Sequence, residues 1–111
     1  MMEISWGDFE KVDMRVGVVV KAEDFPKAKK PAYRLTIDFG ELGIKRSSAQ
    51  ITNYTKDELQ GMKVVAVVNF PPKQVADFVS EVLVLGALTK EGVIVLTPSR
   101  PGKAMPGDRI A

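Results

Sequence analysis

Neither cysteine nor histidine occurs anywhere in the 111 residues of this chain. The first absence removes disulfides and thiolate metal sites, and it suits a reducing compartment. The second removes a Ser-His-Asp triad, a Cys-His pair and any His-rich zinc site. Acid–base chemistry would rest on carboxylates, lysine or tyrosine alone. A binding protein is therefore expected rather than an enzyme, with no catalytic residue, no metal and no cofactor. No "GxxxxGK" stretch offers a nucleotide phosphate a cradle. Long apolar runs are missing too, since nothing approaches the ~18 consecutive apolar residues of a membrane span. The opening stretch "MMEISWGDFEKVDMRV" has neither a basic nor an apolar leader region. A cytoplasmic location is the expectation.

What is present suits a single globular domain over residues 1–111, with 45% apolar and 27% charged residues. The net charge of +2 is mild but unevenly spread. Residues 27–73 hold nine Lys/Arg against four Asp/Glu, and the remainder holds seven against ten. The middle of the chain thus offers a basic face of +5, compatible with phosphates or with acidic peptides.

Strand signals dominate. "KVDMRVGVVVKA" alternates with period two, setting Val12, Met14, Val16, Val18 and Val20 on one face, opposite Asp13, Arg15 and Lys21. Asp13 and Arg15 read as a cross-strand ion pair. "YRLTIDFG" repeats the alternation, with Tyr33, Leu35, Ile37 and Phe39 facing inward, while "IKRSSAQIT" is a more polar strand. "KVVAVVNF", "EVLVLGAL" and "GVIVLTP" are apolar on both faces. Ser5 can cap a turn through Trp6–Phe9, and Thr55 with Glu58 forms a capping box that Gly61 would stop. Five or six strands with one short helix between the third and fourth predict an all-β, five-stranded OB-type barrel, with a sandwich as the alternative. Strands apolar on both faces need an outer cover, from the chain's own ends or from a second subunit. A homodimer is expected, with the terminal segments packed at its interface.

Three segments would converge on one side of such a barrel: "FPKAKKPAYR", "KRSSAQITNY" and "NFPPKQVADFVS". They bring Phe70, Phe78, Val79 and Leu83 for apolar contact, and Ser47, Ser48, Gln50 and Asn69 for hydrogen bonds to a ligand backbone. Ser80 stands at the strand entry. Lys29, Lys30, Arg34, Arg46 and Lys73 supply positive charge. Aromatics interleaved with cations suit RNA, where bases stack and phosphates meet charge. The same mixture suits peptides. Composition does not separate the two.

The quoted runs "DFEKVDMRVGVVVKAEDFP", "IDFGE", "SSAQIT" and "VVAVVNFPP…SEVLVLGA" resemble the tRNA-binding-domain family of OB folds over roughly residues 8–111. Within it they are most similar to the stand-alone CsaA secretion chaperones. The resemblance implies an OB barrel, a homodimer, no catalysis, and binding of RNA or of unfolded preproteins and peptides without ATP. The export motor would be a further partner. The tRNA binders of this family follow the Asn-led loop with a basic residue, an Arg-Gly pair and Ser-x-Gly-Met. Asn69, Lys73 and Ser80 keep that pattern, whereas Ala76-Asp77 replaces Arg-Gly and Val82-Leu83 replaces Gly-Met. The exchange makes the loop less basic and more aliphatic, which favours a polypeptide ligand over tRNA.

Overall fold

A computed structural model describes residues 1–111. Its centre is an antiparallel sheet of β1 (Met14–Asp24), β2 (Tyr33–Asp38), β3 (Ile44–Ala49), β4 (Lys63–Val67) and β7 (Leu83–Val84), in the order β3-β2-β1-β4-β7. The sheet curls until its two edges meet. There the Glu81 N–H donates to the Arg46 carbonyl at 2.8 Å, and the Ser47 hydroxyl donates to the Val82 carbonyl at 3.0 Å. The product is a nearly closed five-stranded barrel of the OB type. Two hairpins leave it: β5 (Lys73–Val75) with β6 (Phe78–Ser80), and β8 (Gly86–Thr89) with β9 (Gly92–Val95).

The alternation of β2 is as the sequence predicts, with Leu35, Ile37 and Phe39 fully buried. In β1 the expected single face is broken. Residues 14–18 pair with β4 and residues 18–24 with β2, and the register shifts between Val19 and Lys21. The extra residue, Val20, is left exposed, and the bulge bends the strand from one neighbour to the other. The interior is therefore filled from Val19 and Ala22, three apart, and not from the even-numbered valines. Gly17 also faces inward, where a methyl group would stand 2.6 Å from both Ile37 and Phe39.

Helix α2 (Lys56–Leu59) forms as its capping box predicts, with Thr55 and Glu58 satisfying each other's backbone N–H. Gly61, at φ 85°, turns the chain back into β4. The helix drives Leu59 into the barrel, where it is fully buried. Helix α1 (Trp6–Glu10) is capped by Ser5 and Asp8 but buries none of its residues.

The run "EVLVLGAL" is not one strand, as its apolar pattern suggests. It pairs with β4 at Leu83 and Val84 and leaves it after Leu85, which donates to the Val65 carbonyl and accepts from Leu96. Gly86 permits this crossing, since a side chain there would lie 2.5 Å from Val93. The outer face of β1 and β4 is partly covered by the chain's own C-terminal segment. Val16 exchanges bonds with Asp108 and Gly107, Ile110 donates to Met14, and the Lys63 ammonium donates to the Pro101 and Ala104 carbonyls at 2.6 Å each.

Arg15 ties this segment to the start of β1, through Asp13 Oδ1 at 2.6 Å and the Gly107 carbonyl at 3.0 Å. Asp13 and Arg15 are two apart in the same run, so the ion pair forms along the chain and not across strands. The hydrogen bond from Arg15 holds the Asp13 carboxyl below its ordinary 3.8. A depressed folded value stabilises the fold above about pH 4 and loses that contribution as the pH falls further. Removing the Leu59 side chain leaves a cavity at the base of the barrel. Leu59→Ala is expected to cost about 2–5 kcal/mol, read as a lower urea midpoint with an unchanged slope.

Candidate ligand-binding hollow

The chain cannot continue β4 past Val68, because Pro71 and Pro72 lack the N–H that a paired strand needs. It swings out through Phe70, which stays half-exposed, and returns as the β5–β6 hairpin. Ala76 turns the hairpin at φ 53°, a left-handed conformation that favours glycine, and the Gln74 amide holds the turn by donating to the Ala76 carbonyl at 2.8 Å. The hairpin, the end of β3, β7 and the β8–β9 hairpin then enclose a hollow of about 960 Å³. Its walls are mainly aliphatic: Ile51, Val75, Val82, Leu83, Leu85, Leu88 and Val93, with Phe70 and Pro71 at one lip. Ser48, Gln50, Gln74 and Ser80 are its uncharged polar groups. Lys73 and Glu81 are its two charges. Glu81 is engaged, accepting from the Arg46 N–H at 3.1 Å, whereas Lys73 makes no ion pair.

The expected site residues divide into three groups. Ser48, Gln50, Phe70, Lys73, Ser80 and Leu83 meet in the hollow. Lys29, Lys30, Arg34 and Arg46 belong to the loop after β1 and to the outer face of β2 and β3, which adjoins the hollow at Ser48, the register partner of Arg34. A third group works inside the fold. Ser47 is buried at the barrel seam. The Asn69 amide is engaged on both sides, accepting from the Asp13 N–H at 3.0 Å and donating to the Lys11 carbonyl at 2.7 Å. It anchors the segment before β1.

Phe78 needs a correction. The sequence offers it as an apolar contact for ligand, but it is only 4% exposed. It lies against Phe25 with ring centroids 5.4 Å apart, in a small cluster with Ala32. This cluster pins the β5–β6 hairpin to the loop after β1, so Phe78 builds the wall of the hollow without facing it. The walls from Leu85 to Val93 were not among the sequence candidates. The "KEG" turn between the two apolar runs was the signal for that second hairpin.

A family model described as "Putative tRNA binding domain" matches residues 14–109. The chain belongs to the tRNA-binding-domain family. Two solved structures of that fold are similar over nearly their whole length. The CsaA chaperone protein of Picrophilus torridus shares 58% identity at a TM-score of 0.94, covering 98% of this chain and 100% of that one. Chaperone CsaA of Bacillus anthracis str. Ames shares 49% at 0.92, covering 99% and 100%. The methionine–tRNA ligase of Leptospira interrogans is 37% identical over 110 residues, which is 98% of this chain but 15% of the ligase. The chain therefore spans a small part of the curated relatives it matches. Within the tRNA-binding-domain family it is CsaA-like, as its motifs suggested.

Two substitutions separate wall from turn. Phe78→Ala should destabilise the fold by about 3 kcal/mol, since it empties a buried ring site. Ala76→Gly should raise the thermal midpoint, because relief of about 1–2 kcal/mol of left-handed strain exceeds the entropy glycine adds to the unfolded chain.

Proposed function

We propose that this chain is an ATP-independent holding chaperone that takes extended segments of unfolded preproteins into the hollow, in the service of protein export. The observation that carries the reading is the hollow's composition. An aliphatic wall with a few uncharged polar groups and one unpaired lysine suits apolar side chains on a polypeptide backbone. Phe70 and Leu83 give the exposed apolar contact, Ser48, Gln50 and Ser80 sit where a backbone would pass, and Lys73 draws acidic or amide-rich neighbours. Two CsaA structures described as chaperones support it by likeness. Holding without a nucleotide cycle requires fast release, so affinity in the micromolar range, about −8 kcal/mol, is expected.

A second copy completes the molecule in this reading. Trp6 is 82% and Leu88 88% exposed, and Ile94, Leu96 and Met105 are uncovered too. Leaving such side chains in water forfeits about 1.5–3 kcal/mol each, and a five-residue helix such as α1 does not stand alone. A symmetric dimer covers them. Sedimentation should give twice the chain mass at micromolar concentration, and a monomer would remove this part of the reading.

The second reading, binding of tRNA, is favoured by the family model and by the Arg34–Arg46 face. Titrating a reduced, unfolded protein and bulk tRNA separates the two. Phe70→Ala should weaken the unfolded protein about tenfold, or 1.4 kcal/mol, with the thermal midpoint unchanged because Phe70 is already half in water. Tight tRNA binding without suppression of aggregation would reverse the choice.

A further inference from the structure

The outer face of β1–β3 is where OB barrels usually take oligonucleotides, and nucleic-acid binding there needs free cations for phosphates and free rings for bases. Several of each are engaged within this chain. Glu23 bridges two cations, with Oε1 3.6 Å from Arg46 and Oε2 3.5 Å from Lys21. Asp77, at the hairpin tip, lies 3.0 Å from Lys27. The rings fare the same way. Phe25 and Phe78 are turned against each other, and guanidinium groups cover them, Arg34 at 5.7 Å and Arg46 at 4.5 Å from the ring centroids.

We propose that Glu23 and Asp77 are specificity residues that weaken polyanion binding on this face by neutralising Lys21, Lys27 and Arg46, leaving the adjoining hollow to uncharged and apolar polypeptide. The Asp77 carboxyl is held below its ordinary value by the hydrogen bond from Lys27, so it stays charged at neutral pH. The inference rests on the reading of the hollow as the polypeptide site, but the two fail separately, because neither Glu23 nor Asp77 lines the hollow.

The test is a titration of fluorescent bulk tRNA at several salt concentrations with wild type, E23Q/D77N and the charge-keeping E23D/D77E. Thermal melts check folding, which both side chains, 31% and 54% exposed, should leave intact. Wild type and E23D/D77E should bind weakly with a shallow salt slope. E23Q/D77N should bind at least tenfold tighter at low salt, with a slope steeper by about two to three, from the three cations freed for phosphate. An unchanged slope in E23Q/D77N, or a wild type already steep, overturns the inference. Affinity for a reduced, unfolded protein should be equal in all three. If wild type shows none, the polypeptide reading falls while the tRNA slopes still decide the role of Glu23 and Asp77.

Discussion

The contact on which the molecule depends is the seam where β3 meets the run Ser80–Val82. Five antiparallel strands leave two open edges, and an open edge invites pairing with another chain. Here the Glu81 N–H, the Ser47 hydroxyl and the Ser80 hydroxyl, which accepts from Ser48, close the gap. Ser47 is the buried polar residue of the core, and its bond to the Val82 carbonyl is what makes a hydroxyl tolerable there. Closing the barrel at this point also sets β6 beside β3, so that the β5–β6 hairpin stands along one side of the sheet. The hollow is the space between it and the β8–β9 hairpin.

How much of this was legible depends on whether local chemistry or long-range pairing decided each element. The capping box at Thr55 and Glu58 and the alternation of Tyr33–Phe39 are local, and both could be read directly. The bulge at Val20 could not. Which valine is surplus is set by the change of partner from β4 to β2, and a period-two pattern carries no record of it. The break at Leu85 is similar, because an unbroken apolar run hides a strand that leaves one sheet and enters another.

The site was half legible for the same reason. Lys73 and Ser80 read together because hairpin register sets them opposite each other. Phe78, between them in the chain, is instead taken up by packing on a residue 53 positions earlier. Residue type gave no warning, since an aromatic serves equally as a stacking platform or a plug. Asn69 illustrates the reverse case. A polar residue leading a loop suggests a ligand contact, yet its amide satisfies two backbone groups of the segment before β1.

The pairing of Met14–Val16 with Gly107–Ile110 carries a consequence for synthesis. These partners are among the most distant in the chain, and contacts of large sequence separation form late because loop closure must precede them. A ribosome releases the start of β1 long before its edge partner exists. Until residue 110 clears the exit tunnel, Val16 and Val65 have no lid from their own chain, and the nascent barrel is itself an unfinished, sticky polypeptide.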